Sequence, residues 1–176
     1  MKTITDLFKQ ALAKHYERNY PYFYIAVDLH GTIFVPDKLT MFTWGDGSSK
    51  PSEIKFERIL KEKIYPNAIE CLKYFCLDRS IDDVNYRLIL WTSSKGDELL
   101  ENLKLLEDNG IYFQYINENP DFKGNSYADF SKKFCFDILL DDKAGFDPEH
   151  DWTELLRFLK TTNTSHNGNV NSESVG

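Results

Sequence analysis

Asp28-Leu29-His30-Gly31-Thr32 and Asp141-Asp142 are two places where this chain sets carboxylates directly after apolar runs. Tyr24-Ile25-Ala26-Val27 leads into the first and Ile138-Leu139-Leu140 into the second. Each acid therefore leaves the C-terminal end of a buried strand, where open α/β sheets bind ligands. A carboxylate so placed can attack phosphorus as a nucleophile. Carboxylates together with phosphate and water also make up the usual oxygen complement of magnesium. Asp28 and Asp142 could hold such an ion, with Asp141 bonded directly or through water. The ion would neutralise phosphate charge and let a carboxylate approach an anion that otherwise repels it.

Two further features fall between the acids. Thr92, followed by Ser93 and Ser94, closes the apolar run Leu88-Ile89-Leu90-Trp91, and Lys132-Lys133 precede the last strand. A hydroxyl and an ammonium there would hold the remaining phosphoryl oxygens. Each feature has a plainer use when taken alone. Asp28 suits a turn, Thr92 and Ser93 suit a helix cap, the lysines suit a solvated face, and the acidic pair suits an ordinary loop. The site is escaped only if all the plain uses hold at once.

The elements needed to bring these residues together are visible in the hydrophobic pattern. Ile4, Leu7, Phe8, Ala11, Leu12 and Tyr16 have helical spacing, and Asn19-Tyr20-Pro21 ends that helix. Tyr22 to Asp28 reads as the first strand. Residues 34–65 lack a period and read as a short flap, marked by Gly45-Asp46-Gly47 and Pro51. Pro66 opens a second helix, Tyr86 to Thr92 is a strand, and Gly96 to Asn109 is a helix stopped by Gly110. Ile111 to Ile116 is a third strand, Ser126 to Lys133 a short helix, and Phe136 to Leu140 a fourth strand. Residues 151–160 form a last helix. Strands alternating with helices predict a parallel sheet covered on both faces. Residues 1–160 form one domain, and the polar residues 161–176 form a disordered tail.

Composition narrows the functional classes. A chain of 176 residues with 41% apolar and 15% aromatic residues is globular and long enough for a sizeable core. A net charge of −7 weighs against nonspecific nucleic-acid binding, although Lys50, Lys55, Arg58, Lys61 and Lys63 make a local basic stretch. Cys71, Cys76 and Cys135 include no C-x-x-C pair, which predicts reduced thiols and a cytoplasmic protein. No apolar run reaches the roughly 18 residues of a membrane span.

The ordered set resembles the haloacid dehalogenase superfamily, mostly magnesium-dependent phosphohydrolases, over roughly residues 22–160. Its first motif, an Asp, any residue, a second Asp, any residue, then Thr or Val, is matched by Asp28 to Thr32 with His30 in place of the second Asp. Thr92 matches the second motif, Lys133 (with Lys132 as the alternate) the third, and Asp141-Asp142 the fourth. The resemblance implies a Rossmann-like three-layer α/β sandwich with a central parallel sheet, capless apart from the flap. It implies Asp28 as nucleophile and magnesium held by Asp28, Asp142, Asp141 and the backbone carbonyl of His30. Thr92, Ser93, Lys133 and Lys132 would bind phosphate. The dehalogenase branch needs no magnesium and would leave the acidic pair without a purpose. A capless site goes with large phosphorylated substrates, including proteins and nucleic-acid ends, which Phe42 and Trp44 could contact. An imidazole at position 30 can act as general acid and base. It could also leave a slow enzyme with a lasting phospho-aspartate, or a catalytically silent binding or structural module of the same fold.

Overall fold

The computed structural model describes residues 2–35, 64–76, 84–124, 126–127, 129–130 and 133–167. The interior of the expected flap, with Phe42, Trp44 and the basic stretch at 50–63, lies outside the described residues, as does Lys132. Helix α1 (Ile4–Arg18) leads into strand β1 (Phe23–Asp28), followed by α2 (Ala68–Cys76) and β2 (Tyr86–Trp91). Next come α3 (Gly96–Asp108), β3 (Tyr115–Ile116), β4 (Ile138–Leu140), a single 3-10 turn at Asp142–Ala144, and α4 (Asp151–Asn167). No helix among the described residues is long and apolar enough to cross a membrane.

The four strands form one sheet in the order β3-β2-β1-β4, and every pairing is parallel. This is an α/β, Rossmann-like architecture. β1 lies inside the sheet and is buried along nearly its whole length, which is why it reads as a continuous apolar run. The chain grows outward from β1 through β2 to β3, then returns to the far side of β1 to lay down β4. That reversal makes the crevice between the ends of β1 and β4 the topological switch point, where such sheets bind ligands.

Helices and strands divide their side chains between two cores. Phe23, Ile25 and Val27 of β1, Leu88 and Leu90 of β2, and Ile138 and Leu140 of β4 pack with residues from all four helices. α1 contributes Ile4, Phe8 and Leu12, spaced by four residues along one face, and α4 contributes Trp152, Leu155, Leu156 and Leu159. α1 begins with a capping box in which Thr3 and Asp6 satisfy each other's backbone N–H groups. It ends at Asn19 in the left-handed conformation, φ 53°.

The opposite face carries Tyr24, Ala26 and Ile89, and among the described residues aromatic side chains, not a helix, cover it. Phe122, Phe134 and Phe136, from the crossover between β3 and β4, pack there. The short helix expected at Ser126–Lys133 is absent: the described residues of that stretch are bends and irregular backbone. A segment that short gains too few backbone bonds to offset helix nucleation. Instead, polar clamps hold the crossover. Asn119, buried, donates from Nδ2 to the Cys135 carbonyl at 2.7 Å. Asp121 accepts from the Tyr24 hydroxyl at 2.7 Å and the Tyr115 hydroxyl at 2.9 Å, and pairs with Arg87. The Arg87 guanidinium in turn lies 3.4 Å from the centre of the Tyr22 ring.

Other boundaries also shift. β3 and β4 are shorter than the apolar runs containing them, because hydrophobic pattern marks burial and not ladder pairing. α4 continues to Asn167, past the expected end of the domain at residue 160. The hydroxyls of Thr161 and Thr162 bond back to the Phe158 carbonyl at 2.8 and 3.0 Å, within a helix that runs on into residues that read as tail. Residues 168–176 lie outside the described residues.

Phe8 is fully buried among the rings of Phe23, Phe75, Tyr86 and Phe158, with centroids 5.4 to 6.4 Å away. Phe8→Ala is expected to destabilise the fold by about 3–5 kcal/mol. Urea titration should show a lower midpoint with an unchanged slope.

Candidate active site

Register brings the two acidic segments together. Val27 pairs with Leu140, so Asp28 and Asp141 each lie one residue beyond the same ladder rung. The carboxylates of Asp28, Asp141 and Asp142 offer oxygens that all lie within 4.8 Å of one another. All three acids singled out in the sequence thus meet at the switch point, from positions 113 and 114 residues apart. Asp28 is largely buried, Asp141 is buried, and Asp142 is the most accessible.

The loop after β1 exists in a form that admits Asp142. Gly31 has φ +87°, a conformation that disfavours residues bearing a Cβ. A Cβ there would also stand 2.8 Å from Cγ and Oδ2 of Asp142, so the vacancy is filled by the carboxylate itself. The loop closes with Gly31 N–H donating to the Phe34 carbonyl at 2.8 Å, and the N–H groups of Ile33 and Phe34 donating to the Leu29 carbonyl. Thr32, fully buried, accepts the Asp142 N–H on its hydroxyl oxygen at 3.0 Å. Its carbonyl accepts from the Trp152 indole at 2.8 Å, which ties the loop to α4. The next turn is fixed by Asp141, whose carboxylate accepts the Lys143 N–H at 2.8 Å.

This crowding has an electrostatic cost. Burial pushes the Asp28 carboxyl above its ordinary range, and the charges of Asp141 and Asp142 push it further. The Leu29 N–H and the Lys143 ammonium oppose that rise. Lys143, which the sequence reading did not single out, has its Nζ 3.9 Å from Asp28 Oδ2 and 3.6 Å from Asp142 Oδ1. The signal for it was adjacency: it follows the acidic pair directly.

Thr92 lies one residue past Trp91, the register partner of Asp28. Asn117 grips its backbone from both sides: Thr92 N–H donates to Asn117 Oδ1 at 2.8 Å, and Asn117 Nδ2 donates to the Thr92 carbonyl at 2.7 Å. Asn117 holds the left-handed conformation, φ 55°, that asparagine tolerates. The Thr92 hydroxyl accepts the Ser94 N–H at 3.1 Å in a local turn, and the helix-cap use read for Thr92 and Ser93 falls away, since Lys95 is the N-cap of α3. Ser93 is exposed. Lys133 is exposed too, next to Phe134, whose ring lies 5.2 Å from that of Trp91.

His30 is directed by the start of α3. Its Nε2 lies 3.0 Å from Ser94 Oγ and 3.1 Å from Glu98 Oε1. Glu98 belongs to the first turn of α3 and, like Asn117, carried no sequence signal: only the fold brings it to His30.

No family model matches the chain, and no curated protein matches it. A solved structure described as a conserved protein from Bacteroides thetaiotaomicron is 25% identical, over 80% of this chain and 91% of that one, with a TM-score of 0.47. That degree of likeness assigns neither a family nor an activity.

The raised carboxyl of Asp28 means that the folded chain holds this proton more tightly than the unfolded chain does. Its stabilising effect is complete below the unfolded pKa and is lost as pH rises through the folded value. In metal-free buffer at neutral pH, Asp28→Asn is therefore expected to melt at a higher temperature than wild type. The advantage should shrink as pH falls toward about 4, the ordinary carboxylate range. Melting curves across pH check this.

Proposed function

We propose that this protein is a magnesium-dependent phosphohydrolase that cleaves a phosphomonoester through an aspartyl-phosphate at Asp28. The observation that carries this reading is the convergence of the Asp28, Asp141 and Asp142 oxygens within 4.8 Å at the sheet's switch point. Hard oxygens bound to one magnesium at about 2.1 Å lie about 3–4 Å apart, so small side-chain rotations suffice to form a coordination sphere. Asp28, Asp142 and Asp141 would hold the ion, joined by the His30 carbonyl. When bound, it supplies charge neutralisation at the phosphate.

The chain's own residues supply the chemistry. An Asp28 oxygen forms a bond to phosphorus as the bond to the leaving oxygen breaks, and His30 gives that oxygen its proton. His30 then takes a proton from water, whose oxygen attacks phosphorus and releases phosphate with an intact carboxylate. Ser94, in the loop before α3, and Glu98, in its first turn, orient the imidazole. Thr92, Ser93, Lys133 and Lys132 are the proposed phosphoryl-oxygen ligands. The proposed substrate is a bulky phosphomonoester. A nucleic-acid end is the less favoured form, given the net charge of −7. Three free cysteines are compatible with the proposed cytoplasmic location.

A second reading, a catalytically weak or silent module of the same fold, draws on the engagement of His30 by Ser94 and Glu98. Melting in magnesium with aluminium or beryllium fluoride separates the two readings. Stabilisation that disappears in Asp28→Ala belongs to a working phosphoryl site, and no response belongs to the silent module.

Two outcomes are expected of the enzyme. Asp28→Asn should lower magnesium-dependent hydrolysis of p-nitrophenyl phosphate by at least about 1000-fold. His30→Ala should lower kcat by about 100-fold or more on an alkyl phosphate and less on the nitrophenyl ester, whose leaving oxygen needs little protonation. Equal wild-type and Asp28→Asn rates would overturn the mechanism.

A further inference from the structure

Two of the three clustered carboxylates share a cation that belongs to the chain. Lys143 Nζ stands 3.6 Å from Asp142 Oδ1 and 3.9 Å from Asp28 Oδ2, and both acids are in the set that converges within 4.8 Å. One positive charge therefore lies against two of the three side chains that would ligate a divalent ion. An ammonium carries three donors and no lone pair, so it cannot join a coordination sphere. Two cations at such separations also repel. Lys143 and the metal consequently compete for the same oxygens.

The way Lys143 is mounted suits it to give way. Its backbone is fixed, because its N–H donates to Asp141 Oδ1 at 2.8 Å and the Gly145 N–H closes the turn onto the Asp142 carbonyl at 3.3 Å. Its side chain is 70% exposed, against 14% for Asp28. The carboxylate is held and the ammonium is free to swing on a four-carbon stem.

We propose that Lys143 is a built-in counter-cation: it neutralises the acidic cluster while no metal is bound, is displaced by a divalent ion, and then binds the anionic ligand that the ion recruits. The inference rests on the metal-dependent reading of the site and deepens it, since it assigns a phosphate-binding cation that the motif positions do not include.

Calorimetric titration of the full chain with Mn2+, without substrate, tests the first half. Lys143→Met removes the competing charge and should tighten Mn2+ binding by about three- to tenfold, the range set by two ion pairs made by an exposed lysine. Lys143→Arg keeps the charge and should bind like wild type. Titration with inorganic phosphate at saturating Mn2+ tests the second half. There Lys143→Met should bind about three- to tenfold more weakly, and Lys143→Arg should retain affinity. Unchanged or weaker Mn2+ binding by Lys143→Met overturns the proposal, as does unchanged phosphate binding. Wild type that binds no Mn2+ overturns both this inference and the metal reading beneath it. Mn2+ binding with the predicted Lys143 effects but no hydrolysis of any ester leaves the inference standing and removes only the hydrolase. The exposed position of Lys143 makes misfolding of the variants an unexpected outcome, and circular dichroism checks it.

Discussion

Repulsion among Asp28, Asp141 and Asp142 is the constraint around which the rest of the molecule is arranged. Three carboxylates converging within 4.8 Å at the ends of adjacent parallel strands oppose folding wherever they are ionised together. The sheet imposes this proximity, because register alone fixes where the last residue of β1 and the first residues after β4 emerge. The surrounding structure offsets it with backbone donors, one lysine, and ties that prevent the acids from separating.

Those ties run through a single threonine. Thr32 takes the Asp142 N–H on its hydroxyl oxygen and the Trp152 indole on its carbonyl, so the loop after β1, the turn after β4 and helix α4 meet at one buried residue. Trp152 is also packed edge-on against Phe146, 4.8 Å between centroids, which anchors the far end of the acidic turn. The small and hydroxyl residues of the Asp28–Thr32 segment therefore answer to geometry as much as to reactivity. Glycine makes room for a neighbour's carboxylate, and threonine fastens that neighbour in place.

Much of this was readable beforehand, and the unreadable parts have physical causes. Apolar runs ending in Asp28 and before Asp141 announced buried parallel strands, and the reading that these acids meet follows from parallel topology. The crossover after β3 was misread as helical at Ser126–Lys133, where the described residues are bends and irregular backbone and the covering of Tyr24 and Ile89 is made ring by ring. Asn117, Glu98 and Lys143 gave little or no sequence signal. The first two act only through contacts that close in three dimensions, and the third looks like any solvated lysine until the turn at Asp141 aims it back at the cluster. The end of α4 was misplaced because threonine and asparagine are weak helix formers by type, yet the helix continues through them to Asn167.

The unequal covering of the sheet gives the two walls of the crevice different resilience. Helices with long apolar faces back the wall bearing Thr32 and Trp152, so its opening is coupled to losing the main core. The wall bearing Thr92 is held by Asn117, at the head of an aromatic strap whose described residues form no helix. Such segments open locally at lower free energy than a helix-backed core. Local opening of the crevice is therefore expected first at the strap, and a ligand spanning both walls would order the strap more than the helix-backed side.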